Sequence, residues 1–438
     1  MTMKRYDSYK DSGIQWLGEI PSHWELKRWR FLLAENKDVN SRLQTKTQLQ
    51  FRYGEIVPKS SQGEDEETLN TIQKYTVVAP NDIMINGLNL NYDFISQRVA
   101  KVSETGAITS AYVSLRPTEI ADPSFYNYLL KAMDSKKMFH GMGSGVRLTL
   151  SYKELKSRFL PYPPKEEQET IVAYLDKATA EIDEAIAQQQ RMIDLLNERK
   201  QIIITQTVTR GLNPNAPLRD SGIGWIGQIP EHWRVRRFKS LYSTRTGITF
   251  TKADLIEDGE PVISYGQIHS KENYGTSINP KLIRFIPQKL TKGKVSSLAH
   301  KGDFLFADTS EDFEGCGNNV YIDTDSPLYA GYHTILAKSN HSEIGQYLGY
   351  LFNSINWRKQ VRSKVNGVKV YSITQSIINS TTVILPPIPE QEEIVRFLDE
   401  KVKAINGAIE ALNRTIVMLQ ERKQIIINEV VTGKVKVS

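Results

Sequence analysis

The 438-residue sequence predicts an α+β protein written twice over, as two globular blocks that each run into a long helix. Two observations carry the prediction. The two halves repeat each other at their ends, and the segments that close them hold apolar residues at heptad spacing. Composition agrees: 39% hydrophobic and 24% charged residues suit folded domains, and the length is enough for two to four of them.

The repeat comes first, because it fixes the frame. Residues 11–32 read DSGIQWLGEIPSHWELKRWRFL and residues 220–241 read DSGIGWIGQIPEHWRVRRFKSL, with 12 of 22 positions identical. Residues 163–209 and 386–432 match without a gap at 24 of 47 positions. The middles answer to each other only at short marks: Tyr53-Gly54 with Tyr265-Gly266, Asn81-Asp82 with Gly302-Asp303, Ser110-Ala111-Tyr112 with Ala330-Gly331-Tyr332, and Gly145-Val146-Arg147 with Gly367-Val368-Lys369. Shared ends and divergent middles describe one scaffold holding two different fillings. The boundaries that follow are 1–160 and 211–386 for the blocks, 161–210 and 387–438 for the helical segments.

The segments after Pro163-Pro164 and Pro386-Pro387 are rich in Glu, Gln, Lys, Ala and Ile, which favours helix. In the second, Leu398, Ile405, Ile409, Leu412, Ile416 and Leu419 continue a three-and-four spacing that begins at Val395 and ends at Ile426. In the first, Leu175, Ile182, Ile186, Ile193 and Leu196 keep the same register, with Gln189 and Lys200 as polar members. This is a coiled-coil seam. A helix of about 40 residues is about 60 Å long and needs a partner along its length. If the two segments pair with each other, chain order makes them antiparallel, and a pseudo-twofold axis relates the tandem copies. Pairing with a second copy of the chain is the alternative.

Short apolar runs at 76–78, 83–85, 112–115, 304–306 and 333–336 predict strands, and 124–137 and 344–359 predict helices. The net charge of +6 lies in the blocks: residues 1–160 carry 22 basic against 18 acidic side chains and 211–388 carry 20 against 15, whereas 161–210 carry 6 against 9. Two basic blocks separated by an acidic segment suit a nucleic-acid footprint or a solvated face. One cysteine, Cys316, excludes an internal disulfide and fits a reducing, cytoplasmic setting. No apolar stretch approaches the roughly 20 residues of a membrane span, and no apolar leader follows the first basic residues.

Catalytic motifs are missing. The sequence has no G-x-x-x-x-G-K-[ST] loop, no glycine fingerprint after a strand and no H-E-x-x-H, and the acidic run Glu311, Asp312, Glu314 reads as a surface loop. Binding candidates are more numerous. Asn86, Asn89, Gln267 and His333 follow or sit in expected strands, where Asn and Gln can read adenine bidentately. Arg147, after a glycine-rich turn at 141–145, and Lys369 with Tyr371, after Gly367, can meet phosphates, as can Lys271, Lys292 and Lys294. Tyr112 completes the set. The paired tryptophans 16, 24, 225 and 233 recur too regularly for variable readers and read as packing anchors. The basic residues after them face either phosphates or a partner protein.

The W-x-G-x-I-P-x-x-W pattern at 16–24 and 225–233 resembles the opening of target-recognition domains in the specificity subunits of type I restriction-modification systems. TSAY at 109–112, GSGVR at 143–147, GD at 302–303 and AGYHTIL at 330–336 look like internal marks of those domains. P-P-x-x-E-Q-x-x-I-V-x-x-L-D at 163–176 and 386–399 is similar to their conserved regions. The first copy departs in one place, with Asn81 where the family favours glycine. The resemblance spans the chain and implies two target-recognition domains separated by two long antiparallel coiled-coil helices. It implies a non-catalytic reader of double-stranded DNA, each domain taking half of a bipartite asymmetric site. The implied partners are two modification subunits, which methylate adenine N6 with S-adenosylmethionine, and two restriction subunits that use ATP and Mg. No cofactor is expected in this chain. An enzyme with an unrecognised site and an adaptor that binds only protein are the competing readings.

Overall fold

The structure, a computed structural model, describes residues 4–52, 54–60, 65–144, 148–367 and 369–437. The chain folds into two compact units. One comprises residues 1–190 with 413–438, the other residues 191–412. Each has its own apolar core and contains one end of each long helix.

The sheet at the centre of each unit has the same topology. In the first, strands Leu33–Glu35, Val113–Pro117, Ile83–Ile85 and Val99–Lys101 lie side by side in that order, all antiparallel. In the second, the order is Tyr242–Thr246, Thr334–Ser339, Phe304–Ala307 and Asn319–Tyr321, again antiparallel. The runs at 76–78 and 83–85 are strands with the expected bounds. Tyr112 and His333 fall just outside the strands they were expected to join.

The expected helix at 124–137 forms as Pro123–Ser135, opened by the Asp122 carboxylate, which accepts from the Ser124 and Phe125 amides. The expected helix at 344–359 is two helices, Gly345–Asn353 and Ile355–Arg362. Ser354 is the break. It takes an extended ψ of 146° and its hydroxyl caps the second helix by accepting from Trp357 N.

The ends that repeat in sequence are the parts that join each sheet to its helix. Strand Glu25–Arg28 pairs with Phe159–Tyr162, and Arg234–Arg237 pairs with Thr382–Leu385. The second strand of each pair leads through a proline into a long helix, Lys165–Arg210 or Ile388–Val431. Trp24 and Trp233 are fully buried in the two main cores, whereas Trp16 and Trp225 are half-buried.

Within the first unit, Ile171, Leu175 and Ile182 share a core with Ile426, Ile427, Val430 and Val431. Within the second, Ile204 and Val208 share one with Ile394, Val395 and Leu398. In each unit the start of one helix therefore lies against the end of the other, which is antiparallel packing. Along the expected seam, Leu175, Ile182, Ile193 and Leu398 are buried, and Ile186, Leu196, Ile405, Ile409, Leu412, Ile416 and Leu419 are half-buried. The two seam lysines are paired: Lys423 Nζ meets Asp183 at 2.6 Å and Lys200 Nζ donates to Asn406 Oδ1 at 3.1 Å. Burial pulls the Lys200 ammonium below its ordinary pKa.

Candidate nucleic-acid interface

The departure at Asn81 has a structural explanation. Gly302 adopts φ 100° and Asn81 adopts φ 76°, so both occupy the left-handed region that glycine and asparagine tolerate. The aspartate that follows closes the same turn in each unit. Asp82 accepts from Ala79 N at 3.0 Å, and Asp303 accepts from His300 N at 2.9 Å. Asp82 is buried and also accepts from the Arg116 guanidinium at 3.0 Å, which holds the Arg116 pKa above its usual value. This turn fixes the start of an inner strand in each sheet, and in the first unit the loop beyond that strand carries Asn86 and Asn89.

In the first unit those candidates surround a buried arginine. Arg98 is 1% exposed. Its Nη1 donates to the carbonyls of Asn86 (3.0 Å) and Leu88 (2.8 Å), and its Nη2 donates to those of Asn89 (3.4 Å) and Asp93 (2.6 Å). Asn86 is half-buried and turns its own Oδ1 onto Leu88 N. Asn89 is exposed with φ 54°. Leu150 N donates to Gly87 O at 2.9 Å and Leu90 N to Leu148 O at 3.3 Å, so residues 148–150 are held against the 87–90 segment. A side chain at Gly87 or Gly143 would strike Leu150 or Leu148 backbone atoms, which explains those two glycines. Arg147 lies outside the described residues, as do Tyr53 and Val368. Tyr112 sits apart from this group, edge-on to Phe51 at 6.0 Å, and burial raises its phenol pKa.

The second unit builds a cleft of about 450 Å³ lined by Tyr265, His269, Ser310, Asp312, Glu314 and Asn318. Gln267 and His333 sit at or beside it. Gln267 spends its Oε1 on Ser264 N at 3.1 Å, capping the short helix Tyr265–Ile268. His333 stands at φ 54° with Nδ1 2.9 Å from Asp308 Oδ1, and its ring is packed edge-on to Tyr265 at 5.6 Å. A carboxylate can only accept, so Nδ1 carries the proton and Nε2 points away from Asp308. His269 is fixed in the other sense, Nε2 to the Thr309 carbonyl at 2.8 Å and Nδ1 to Asn318 Nδ2 at 3.0 Å. Tyr371 joins the same wall, because its strand pairs with Thr309–Ser310 and its ring meets Phe313 at 5.6 Å. Lys271, Lys292, Lys294 and Lys369 are exposed, Lys292 and Lys294 on a separate turn. His333 thus meets the cleft through Tyr265 and Tyr371 through Ser310, whereas Gln267 is turned onto its own helix start and the lysines are dispersed.

Glu311, Asp312 and Glu314 lie at the rim, where Glu314 binds Arg362 at 3.0 Å. Among the described residues no group of three His, Cys, Asp or Glu side chains is placed to hold a metal ion, and no helix is long and apolar enough to cross a membrane. Cys316 is buried, which raises its thiol pKa.

Sequence reasoning missed two features of this architecture. One is Arg98, whose role depends wholly on tertiary contacts. The other is the joint beneath each interface. The Gln168 side chain donates to Pro163 O at 2.9 Å and accepts from Asp122 N at 2.8 Å. Gln391 donates to Pro386 O at 2.9 Å and accepts from Ile344 N at 3.0 Å. Tyr128 donates to Asp176 and Tyr350 to Asp399, at 2.8 and 2.6 Å. The repeated E-Q and L-D pairs were the available signal.

Two α+β units of like topology, each anchored to the long helices by the same strand pair and glutamine joint, define a protein built as one frame repeated. Residues 59–191 and 230–414 match the type I restriction modification DNA specificity domain. The chain is 22% identical over 425 residues to the type I restriction enzyme MjaVIII specificity subunit of Methanocaldococcus jannaschii, spanning 95% of this chain and 94% of that protein. It is 24% identical over 320 residues to the EcoKI specificity subunit of Escherichia coli (strain K12), spanning 68% and 64%. A solved chain from work on complex assembly and conformational transition of the type I R-M system shares the fold, with a TM-score of 0.67 at 16% identity over 94% of this chain and 98% of that one. The chain belongs to the type I restriction-modification DNA specificity family, and it is a specificity subunit that recognises DNA sequence. Its two units carry the target-recognition domains.

Proposed function

We propose that each target-recognition domain reads one half of a bipartite, asymmetric site in double-stranded DNA, and that the two long helices set the unread gap between the halves. The observation that carries this reading is the repeated joint under unlike loops. Both domains hang on the same strand pair and the same glutamine-centred contacts. Their reading loops differ: a carbonyl-binding arginine in one, a histidine–aspartate pair beside an acid-rimmed cleft in the other. One frame with two chemistries suits two different half-sites.

In this reading the chain does no chemistry and holds no cofactor. Two modification subunits bind it and methylate adenine N6 with S-adenosylmethionine, and two restriction subunits add cleavage driven by ATP with Mg. The relatives support this division, since they are named specificity subunits. Co-expression with the modification subunits followed by single-molecule mapping of N6-methyladenine tests it. A two-part motif with a fixed gap, changed on one side only when residues 1–160 are exchanged, is the expected result. No new methylation from a complex shown to assemble would favour a protein-only adaptor.

A further inference from the structure

The loop that Arg98 holds ends in an apolar tip. Ile95 is 94% exposed, Tyr92 78% and Phe94 53%. Three large apolar side chains in four positions, in water, are a costly surface for a loop to keep. The loop also has little freedom to hide them. The four carbonyl contacts of Arg98 fix its base. The Asp93 carboxylate accepts from Ile95 N and Ser96 N at 3.1 and 2.9 Å, contacts that hold its pKa down at about 2. Phe94 stacks on His140 at 4.6 Å with 19° between the rings, and His140 Nε2 meets Asp93 O at 3.0 Å.

Basic groups gather behind the tip: Lys137, Arg98 and His140 all act on the buried Asp134, whose carboxylate accepts from Arg98 N at 2.7 Å. The one acid of the tip, Asp93, already faces Arg98 and two amides. A rigid apolar point beside cations is what a polyanion with a hydrophobic interior requires, and stacked base pairs flanked by phosphates have that chemistry. Proteins that deform DNA insert Phe, Leu, Ile or Met between base steps in this way. The corresponding loop of the second unit, around Glu311, Asp312 and Glu314, carries acids instead, and its one large apolar residue, Phe313, is packed on Tyr371.

We propose that the 89–97 loop is a wedge, with Ile95 and Tyr92 entering a base step in or beside the half-site read by the first domain. This rests on the DNA-reading function proposed above and adds a second kind of readout. The first domain favours a half-site with a step that unstacks easily, such as pyrimidine–purine, at a position it does not contact by hydrogen bonds. The corresponding loop of the second domain offers one such side chain, Phe313, 44% exposed and set among acids.

The test uses the chain assembled with its modification subunits on a duplex carrying the mapped site. 2-Aminopurine is placed in turn at each step of the first half-site and its flank, and site-specific affinity is measured in parallel against competitor DNA. The expected result is a fluorescence rise at one step apart from that of the adenine to be methylated, which the modification subunits extrude whether or not the wedge is present. Ile95→Ala with Tyr92→Ala should abolish the separate rise and weaken specific binding about tenfold or more, with thermal stability unchanged because both side chains are exposed. Specific binding with no rise at any other step overturns the wedge and leaves the DNA-reading function standing. Absence of site-specific binding by the unaltered complex overturns both. If the double variant instead fails to retain the modification subunits, the tip is a protein contact and the wedge is wrong.

Discussion

His23 Nε2 lies 2.8 Å from a carboxylate oxygen of Glu167, and the same contact recurs at 2.8 Å between His232 and Glu390. Each pair ties the tryptophan motif to the first turn of a long helix. The histidines are half exposed, so each pair by itself contributes little. Its worth is positional, since it marks the outer edge of a joint whose inner part is buried and fully bonded.

Gln168 and Gln391 form that inner part, and both are fully buried. Gln168→Ala and Gln391→Ala should each cost about 2 kcal/mol or more, because each leaves a backbone amide and a carbonyl without a partner. The two joints belong to different units, so each variant should shift only its own unit's transition, and the double variant should shift both by the same amounts within about 0.5 kcal/mol. Urea unfolding midpoints measure this, and a single transition shifted by either substitution would mean that the units fold as one.

Arg98→Met keeps the volume and removes the four carbonyl contacts. A loss of about 3 kcal/mol is expected locally, with faster hydrogen exchange across 86–97 and none across the second unit. Uniform exchange rates before and after substitution would show that the loop is fixed by other contacts.

His341 supplies a pH dependence. Its Nδ1 accepts from Glu343 N at 2.9 Å, its ring meets Tyr242 edge-on at 4.7 Å, and burial lowers its pKa below the ordinary 6.5, against the smaller opposing pull of Glu343. In the window below 6.5 the unfolded chain binds the proton more readily, so stability falls as pH drops through that window and is unaffected above it. His341→Asn should flatten the slope of thermal midpoints between about pH 7 and about pH 5. An unchanged slope would assign the acid sensitivity to other groups.

His333 and the lysines should separate by type of contact. His333→Ala should relax base preference at one position by about 1–3 kcal/mol. Lys292→Ala and Lys294→Ala should weaken binding alike on all sequences and lower the salt slope by about one each. Competition assays at several salt concentrations distinguish the two outcomes.

The gap between half-sites should follow helix length. One heptad added to each long helix adds about 10.5 Å, close to three base pairs, and keeps the seam in phase. Methylation mapping should show a gap longer by about three with both half-sites retained. An unaltered gap would remove the helices from the role of spacer.

The long helices were legible in the sequence because Leu175, Ile182, Leu398 and Ile405 obey one period over many turns, and a period survives without knowledge of the fold. The joints were half legible. Identity between the copies singled out the E-Q pair, but only the fold shows Gln168 holding Asp122 and Pro163. The reading surfaces were least legible. Gln267 was selected for its amide, and that amide caps a helix. His333 was selected near a strand, and what distinguishes it is Asp308, 25 residues away along the chain. Arg98 looks like any surface arginine until four carbonyls from a folded loop turn towards it. Such roles come from contacts between distant segments, which local spacing does not encode.

The first unit needs residues 413–437 to cover Ile171 and Leu175, and its last described strand contact joins Lys436 N to Lys4 O at 2.9 Å. A ribosome makes those residues only after the whole second unit. The half of the protein begun first is therefore finished last, and its nascent apolar helix face must wait, uncovered or chaperoned, while about two hundred residues are added behind it. Folding order in the cell should thus run against the order of synthesis, with the second unit closing before the first.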